Sequence, residues 1–389
     1  MRQYQNIRLI KWFNFFTDLK LYGPVAVIYF AQITDSFALA MSVFSVVFLS
    51  AAFFEIPTGY ISDFIGRKNT LIFGAVSAVI FTIFYAIGIS FWILIVGAVF
   101  EGLSRAFYSG NNEALIYDSL ADSEKENFGS HLGKSSAMLQ VALALSAFIG
   151  SILASKSFSI VLWLSVIPQI ICLLIGSRLY APLNQHKTDN NLYLHFKEAI
   201  ALFKGNFRLK RLSLAMMLNR GIAEAAFDFQ AAFYQTIWPV WAIGFAKMLS
   251  YIGAALSFYY SSKLIKKFGE VNMILFRHII NRILFSIALL FPNNASPLIM
   301  SSGSLLYGAE IVATQSLAHK EYSDKQRATM GSLVSFGGSI IFAIAAVIMG
   351  AIADSYGPAK ALFIGQLTLV VVIFLYWSIY RIDKKHFKV

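Results

Sequence analysis

Apolar runs of about 20 residues recur along the whole sequence, with short polar breaks between them. An α-helix needs roughly 20 apolar residues to cross a bilayer, whereas a transmembrane β-strand gives an alternating segment of about 10 residues. The runs do not alternate, and they cover residues 12–33, 37–58, 69–89, 91–116, 129–154, 158–180, 209–236, 240–262, 271–291, 296–317, 328–352 and 358–380. The sequence therefore predicts an all-α integral membrane protein with twelve transmembrane helices.

The composition agrees with this interpretation. Of the 389 residues, 58% are hydrophobic and 13% are charged, about half the charged fraction of a soluble domain. No short hydrophobic segment with a small-residue cleavage site precedes the first run, so we expect a retained helix and not a signal peptide. Cys172 is the only cysteine, which excludes an intrachain disulfide and argues against a thiol-metal site. We expect Cys172 to pack between helices, and we expect no cofactor or metal.

The formal net charge of +12 reflects membrane topology and not nucleic-acid binding. Lys and Arg are concentrated in alternate breaks, which by the positive-inside rule face the cytoplasm. The basic breaks contain Arg2, Arg8, Lys11, Arg67, Lys68, Lys125, Lys134 and the basic residues of 187–211, 263–267, 320–327 and 381–388. The other breaks contain only Lys156, Lys247 and Lys360. We predict a multi-pass protein of the cytoplasmic (inner or plasma) membrane with both termini in the cytoplasm.

The longest polar stretch divides the predicted crossings into two sets of six. We predict an N-terminal six-helix bundle, a cytoplasmic linker and a C-terminal six-helix bundle over residues 1–180, 181–207 and 208–389. Within the linker, helical spacing relates Leu192, Phe196, Ile200 and Phe203. This pattern is typical of an amphipathic helix on the membrane surface, and a solvated linker is the alternative.

The two halves also share a short pattern. “EALIYDSLA” (113–121) closes the fourth run and “EIVATQSLA” (310–318) closes the tenth. Their equivalent places favour a duplicated six-helix unit, and we predict that Glu113 and Glu310 occupy pseudo-symmetric positions. Parallel repeats of this kind build transporters whose substrate site lies near the membrane midplane.

A charged break, “FEIPTGYISDFIGRKNTL”, separates the second run from the third. Gly59, Asp63, Gly66, Arg67 and Lys68 fit the pattern G-x-x-x-D-x-x-G-R-[RK], the loop motif of the major facilitator superfamily. The chain resembles this superfamily over its full length, and “EIPTG” and “SGNNEALIYDSL” are similar to its bacterial exporter-like branches. The resemblance implies two pseudo-symmetric six-helix bundles that transport a small molecule by alternating access.

Within this motif the glycines predict tight turns and close helix approach, and Asp63 and Arg67 can form a charge-assisted pair. The resemblance implies that Arg67 also reaches an acid at the end of the fourth helix, where Asp118 lies. We call these three residues the latch, because their contacts would hold one conformation and break in another. Alternatively, Arg67 and Lys68 are topogenic charges only. Lys266 replaces the Asp in the second half, so we expect that copy to have lost the latch.

Ionisable residues within the runs are further candidates, because a charge near the bilayer centre costs from about 2.5 to more than 10 kcal/mol. The residues that could carry a proton or contact a substrate are Asp18, Glu101, Arg105, Glu113, Arg220, Glu224, Asp228 and Glu310. Asn14, Asp18 and Tyr22 are spaced by one turn and predict a polar stripe. The ninth run contains Arg277, His278 and Arg282, and we expect a polar packing role for His278.

Some of these candidates have a structural alternative. Glu101 and Arg105 are four residues apart and can neutralise each other within one helix. Arg220, Glu224 and Asp228 share one face of the seventh run, where two acids and one base leave a carboxylate without a local partner. Such a carboxylate could carry a proton.

The sequence favours a secondary active transporter that couples proton movement to export of a small organic solute, such as a drug or a metabolite. The absence of a P-loop argues against ATP drive, and the absence of HExxH, or of GxSxG within a run, argues against an enzyme. The fifth run lacks the Gly-Pro-x-x-Gly-Gly pattern of many drug:proton antiporters, so export rests on overall likeness. One alternative is proton-coupled uptake of a metabolite. Another is that the protein is a channel or a non-transporting receptor. We expect a monomer that interacts with its solute, protons and membrane lipid.

Overall fold

A computed structural model of the chain describes residues 2–120, 125, 128–181, 206–321 and 324–386. Within these residues every regular element is a helix. The α-helices are α1 (Arg2–Asp18), α2 (Ala26–Thr34), α3 (Phe37–Ile65), α4 (Arg67–Ile87), α5 (Phe91–Tyr108), α6 (Asn111–Asp118), α7 (Phe128–Ala154), α8 (Phe158–Ser177), α9 (Phe207–Gln235), α10 (Val240–Phe268), α11 (Glu270–Leu290), α12 (Ser296–Ser302), α13 (Tyr307–Glu321), α14 (Asp324–Tyr356), α15 (Pro358–Thr368) and α16 (Val370–His386). Short 3₁₀ helices at Gly23–Val25 and Gly303–Leu306 precede α2 and α13.

These helices form twelve membrane crossings, as the apolar runs predicted. Nine segments of the described chain are long and apolar enough to span a bilayer. The other three crossings are the first (α1 and α2), the seventh (α9) and the tenth (α12 and α13). The first and tenth are interrupted by 3₁₀ turns, and α9 carries six charged residues. Interruption and charge explain why length and hydropathy alone do not identify these three.

One-residue glycine turns join the second crossing of each half to the third. Gly66 has φ 85° and ψ 151°, and Gly269 has φ 78° and ψ 157°. A residue with a Cβ atom adopts such positive φ values only at a cost, which makes glycine the fitting residue. The next helix begins immediately afterwards, at Arg67 and at Glu270. The same turn in both halves agrees with a duplicated unit.

Each half also has a glycine where its fourth crossing packs on its second. A Cβ atom on Gly102 of α5 would lie 2.5 Å from Ser50 Cβ and 2.7 Å from Ala51 N, both in α3. A Cβ atom on Gly308 of α13 would likewise overlap the backbone of Phe258 in α10. These contacts are backbone to backbone, so only glycine allows the helices to approach this closely.

The chain divides into two compact units, which are Met1–Thr188 with Pro239–Met248 and Asp189–Trp238 with Leu249–Val389. A core of the first unit contains Ile10, Phe13, Leu71, Ala75, Leu115, Ile116, Cys172 and Leu179. A core of the second contains Leu209, Leu212, Ala215, Ile274, Ala313, Leu317, Ala318, Met330, Leu369, Val372, Tyr376 and Ile379. Cys172 is fully buried, in the packing role expected for it. The amphipathic helix predicted in the linker (192–203) lies outside the described residues.

Replacing Gly102 by alanine should destabilise the first unit, because the added methyl group would overlap the backbone of α3. Overpacking of this kind costs about 1–3 kcal/mol, and we expect a lower melting temperature for the purified protein in detergent. The matched control is Gly133→Ala in α7, where no atom lies within 4 Å of the added Cβ. The control should be neutral or stabilising by up to about 1 kcal/mol, since alanine is the better helix former. Equal melting temperatures would contradict close packing at Gly102.

Candidate functional site

The first unit contains a cavity of about 540 Å³. It is lined by Thr17, Asp18, Lys20, Ala78, Phe81, Ser104, Arg105, Tyr108, Ser109, Gly110, Asn112, Glu113 and Gln169. Three of the sequence candidates, Asp18, Arg105 and Glu113, therefore share one cavity, together with Lys20. Its volume falls within the roughly 300–1,000 Å³ that is typical of small-molecule sites.

Breaks in two crossings bring these side chains to the cavity. α1 ends at Asp18, and Lys20 lies in the non-helical stretch before the 3₁₀ helix. The fourth crossing is interrupted after Tyr108, where Gly110 adopts φ 71°. Non-helical backbone at membrane depth is tolerated where it is buried in protein or lines a water-filled cavity. Discontinuous helices of this kind form the binding sites of many transporters.

Glu101 is a buried acid with three polar partners. Its Oε1 accepts hydrogen bonds from Lys20 Nζ at 2.9 Å and from Arg105 Nη2 at 3.0 Å, and its Oε2 accepts one from the Tyr85 hydroxyl at 3.0 Å. The contact with Arg105 within one helix was one of the sequence alternatives. Lys20 lies 81 residues away in sequence and was not predicted as a partner. Two cations and a hydroxyl satisfy this carboxylate, which indicates a structural ion cluster.

Asp18 has no comparable partner. Its carboxylate makes no hydrogen bond and no ion pair with any residue that the structure describes. Lys20 and Arg105 act on Asp18 electrostatically, but both bind Glu101 directly. Asp18 is thus an acid on the cavity wall whose charge is not fixed by a contacting cation.

The polar stripe of Asn14, Asp18 and Tyr22 does not form. α1 ends at Asp18, so Tyr22 does not continue the helical spacing. Asn14 instead donates a hydrogen bond to Ser135 Oγ at 2.7 Å. Tyr22 is buried, with its ring centroid 5.6 Å from that of Tyr85.

The structure forms one of the two predicted contacts of the latch. Arg67 Nε lies 3.2 Å from Asp118 Oδ2, and the two side chains are 19% and 3% exposed. Asp63 is exposed and forms no ion pair with any described residue, so the predicted pair of Asp63 and Arg67 is wrong for this structure. Asp63 lies in the last turn of α3 and Arg67 begins α4, on opposite sides of the turn at Gly66.

The other motif residues differ in what they do. Gly66 makes the predicted tight turn, but Gly59 makes no close helix approach, since no atom lies within 4 Å of a Cβ built there. Lys68 is partly buried and forms no ion pair with a described residue. The structure adds a contact that the motif did not suggest, because Ser62 Oγ donates a hydrogen bond to Asn111 Oδ1 at 2.5 Å. This bond connects α3 to α6.

The second unit has an ion pair at the corresponding place, with reversed charges. Glu270 is the first residue of α11, as Arg67 is of α4. Both Glu270 carboxylate oxygens lie 2.7 Å from Nζ of Lys320, in the last turn of α13. Asp118 has the equivalent place at the end of α6. From Lys266 we expected the second half to have lost the contact that corresponds to Arg67 and Asp118. This expectation is wrong, because the contact is present with the acid and the base in exchanged positions compared with the first half.

The seventh-crossing candidates provide no free carboxylate. Glu224 and Asp228 both interact with other residues. Arg220 Nη1 donates a hydrogen bond to Ser335 Oγ of α14 at 3.0 Å. Neither acid is therefore the unpartnered carboxylate that the charge count within this helix suggested.

Glu310 is completely buried in the second unit. Its carboxylate oxygens lie 3.8 Å from Arg277 Nη1 and 3.7 Å from His278 Nε2. It also accepts hydrogen bonds from Thr314 Oγ1 at 3.2 Å and from Asn219 Nδ2 at 3.5 Å. Among the described residues, no group of three or more His, Cys, Asp or Glu side chains could hold a metal ion.

Glu113 and Glu310 differ in their surroundings. Glu113 is exposed and lines the cavity of the first unit, whereas Glu310 is buried. Their pseudo-symmetric placement stays a prediction, which superposing the two halves tests.

Exchanging the charges of the latch pair should preserve it. Arg67→Glu alone should destabilise the protein by placing two acids together, and Asp118→Lys alone should do the same with two bases. The double variant should recover most of the loss, with a coupling energy of about 1–3 kcal/mol, because the second unit has this contact in reversed polarity. Melting curves of all four members of the cycle test this prediction. Additive single effects would show that the two side chains do not interact.

Glu101→Gln should lower the melting temperature, because Lys20 and Arg105 would lose their counter-charge. We expect a loss of about 2–3 kcal/mol, below the roughly 3–5 kcal/mol of a fully buried pair, because the Arg105 side chain is 43% exposed. Adding Lys20→Gln should restore part of the stability by removing one uncompensated cation. A double variant no more stable than Glu101→Gln would contradict the ion cluster.

Solved structures of other proteins have a similar fold. A crystal structure of the nucleoside transporter NupG has a TM-score of 0.83 at 15% identity and covers 96% of this chain and 100% of its own. A bacterial homolog of the human lysosomal transporter Spinster has a TM-score of 0.78 at 15% identity, with 98% and 97% covered. The fucose:proton symporter FucP of E. coli has a TM-score of 0.64 at 13% identity, with 97% and 99% covered. No curated protein sequence matches the chain.

The sequence itself matches the Major Facilitator Superfamily over residues 12–340. This match covers eleven of the twelve crossings at least in part. Together with the twelve-helix fold, it shows a multi-pass membrane transporter and not an enzyme. The chain belongs to the Major Facilitator Superfamily.

Proposed function

We propose that this protein couples proton movement to the export of a small organic solute across the cytoplasmic membrane. Secondary transport follows from the family, whereas the proton, the direction and the kind of solute are the proposal. The observation that carries it is the carboxylate of Asp18, which lies on the cavity wall and makes no hydrogen bond or ion pair with any described residue.

A proton carrier needs a carboxylate that can exist in both protonation states during the cycle. Glu101 is poorly suited, because Lys20 and Arg105 both bind its charged form. Asp18 lies on the cavity wall beside Lys20 and Arg105, but neither of these cations binds its carboxylate directly. When Asp18 loses or gains a proton, the charge of the cavity wall changes. This change alters the electrostatic interaction of the wall with a bound solute and with the neighbouring charged side chains.

The cavity also indicates the kind of solute. Phe81 and Tyr108 provide aromatic surface, and Ser104, Asn112 and Gln169 provide neutral polar groups beside the charges. Pockets that bind small molecules combine apolar walls with a few polar groups that orient the ligand. We therefore propose an amphipathic organic solute. Among the proteins of similar fold, NupG is a nucleoside transporter and FucP is a fucose:proton symporter, which agrees with a solute of this size.

Export is proposed from the likeness of “EIPTG” and “SGNNEALIYDSL” to exporter-like sequences. The basic breaks support cytoplasmic termini, and the even number of crossings agrees with both termini on one side. We further propose that the protein works as a monomer in the lipid bilayer. Proton-coupled uptake would use the same residues with the opposite net direction, and the transport assay separates the two.

Asp18→Asn should abolish transport driven by a pH gradient and leave solute exchange intact, because the amide keeps the shape but cannot titrate. A panel of amphipathic solutes is first screened by thermal shift on purified protein, and the best stabilising solute is then loaded into proteoliposomes. An imposed pH gradient measures coupled transport, and counterflow of labelled solute without a gradient measures exchange. Movement of the solute in the same direction as the protons indicates proton-coupled uptake, and movement in the opposite direction indicates export.

Asp35→Asn is the matched control, because Asp35 is an exposed acid outside the helices whose φ of 52° asparagine also tolerates. It should transport at the wild-type rate in both assays. Uphill transport by Asp18→Asn at the wild-type rate would refute Asp18 as the carrier. Lack of counterflow in the wild-type protein with every stabilising solute would refute the carrier function itself.

A further inference from the structure

Buried side-chain nitrogens of α11 are left unpaired. Nε and Nη1 of both Arg277 and Arg282, which are donors, and both ring nitrogens of His278, one of which is a donor in the neutral ring, make no hydrogen bond within the described chain. More than nine-tenths of buried polar groups in proteins do have a partner, so a cluster of exceptions requires an explanation. Two acceptor oxygens at this place are also unpaired, Oε2 of Glu310 and Oδ1 of Asn219, whose amide nitrogen binds Glu310. The four unpaired guanidinium nitrogens outnumber these two acceptors.

The cluster also contains more positive than negative charge. An arginine side chain remains protonated in proteins. Arg277 lies 3.8 Å from Glu310, which His278 approaches at 3.7 Å from the other oxygen. Arg282 forms no ion pair and no hydrogen bond with any described residue. One carboxylate thus serves this cluster, and the second guanidinium is left without a counter-charge.

The position of Arg282 along the helix makes this imbalance costly. Arg282 lies twelve residues after Glu270, the first residue of α11, and eight before the last, Leu290. At 1.5 Å per residue these separations are about 18 Å and 12 Å. A long side chain near a helix end can reach the membrane surface, but Arg282 begins in the middle part of the crossing. Charges at this depth are expensive and mark ligand or ion pathways.

We propose that Arg277, His278 and Arg282 form an anion-binding site in the second unit, which takes an oxyanion group of the transported solute, a carboxylate or a phosphoryl group. A planar guanidinium binds two oxygens of such a group at once, and charge-assisted hydrogen bonds of this kind are stronger than neutral ones. His278 is one helical turn from Arg282 on the same side of α11 and can add a neutral donor. The proposal rests on the proposed transport function for the identity of the occupant.

Glu310 has a defined part in this site. Its carboxylate lies 3.8 Å from Arg277 without a hydrogen bond between Oε2 and that guanidinium. An incoming oxyanion therefore competes with Glu310 for Arg277, and the negative charge of Glu310 opposes its entry. Removing that charge should strengthen anion binding, whereas removing the charge of Arg282 should weaken it.

Calorimetric titration of the full-length protein in a maltoside detergent at low ionic strength tests the site. The probes are benzoate for the carboxylate, inorganic phosphate for the phosphoryl group, and benzamide as a neutral molecule of the same shape as benzoate. We expect at least one of the two anions to bind and benzamide to bind much more weakly. Binding by neither anion, or equal binding of benzoate and benzamide, would overturn the proposal. This comparison needs no variant.

Two substitutions should shift anion affinity in opposite directions. Arg282→Gln should weaken binding by roughly tenfold or more, and Glu310→Gln should tighten it. Arg178→Gln is the matched control, because Arg178 is an exposed arginine just after α8 of the first unit, and it should bind as the wild type does. A merely structural cluster would instead show losses, or no change, in both test variants.

A second measurement separates binding from folding. Arg282→Gln should melt at the wild-type temperature or above it, because the structure gives Arg282 no polar partner to lose. A strongly lowered melting temperature would show a structural role and overturn the proposal. Because these titrations use no proton gradient, a failure of Asp18→Asn to lose coupling leaves the anion site standing. Absence of anion binding equally leaves the proposed proton coupling standing.

Discussion

A charge inside a bilayer must find a counter-charge or border a polar cavity, because hydrocarbon solvates it so poorly. This requirement accounts for the interior of the first unit. Glu101 is buried with Lys20, Arg105 and the Tyr85 hydroxyl as partners, which come from three separate parts of the chain. With this cluster satisfied, the cavity wall still carries two acids, Asp18 and Glu113, whose carboxylates form no ion pair with a described residue.

Interrupted helices make this arrangement possible. A continuous first crossing would carry Asp18 and Lys20 on nearly opposite faces, since they are two residues apart. The end of α1 at Asp18 removes that restriction, so that Lys20 can reach Glu101. The break at Gly110 similarly turns the fourth crossing between Arg105 and Glu113, and both side chains line the cavity. The backbone irregularities and the buried charges therefore depend on one another.

The sequence predicted the crossings well because membrane thickness imposes a length and a composition that are local. It also predicted the turn at Gly66 and the pairing of Arg67 with Asp118, since these depend on a motif in one loop and on its family. Spacing alone could not show that Asp63, on the other side of this turn, forms no ion pair with Arg67.

Tertiary contacts between distant residues were the main omission. Lys20 and Glu101 are 81 residues apart, and Ser62 and Asn111 are 49 apart. Neither pair has a pattern that reveals it. The letters that the two segments share likewise did not reveal that Glu113 is exposed and Glu310 is buried.

The two halves share their scaffold and differ in their interior charges. The turns at Gly66 and Gly269 and the close contacts at Gly102 and Gly308 are common to both, because each is required for the helices to fit together. Both halves also have an ion pair at the end of the fourth crossing. The acid and the base have exchanged places between the halves, so opposite charges are kept there in either order.

No such constraint links Glu101 to Glu310. Glu101 has two bound cations, whereas Glu310 lies beside Arg277, whose Nε and Nη1 make no hydrogen bond. The contacts that hold the helices together restrict amino-acid substitutions in both halves alike, whereas the interior charged positions are free of this restriction. The two halves could therefore acquire different functions there, proton transfer in the first and recognition of an anionic group in the second.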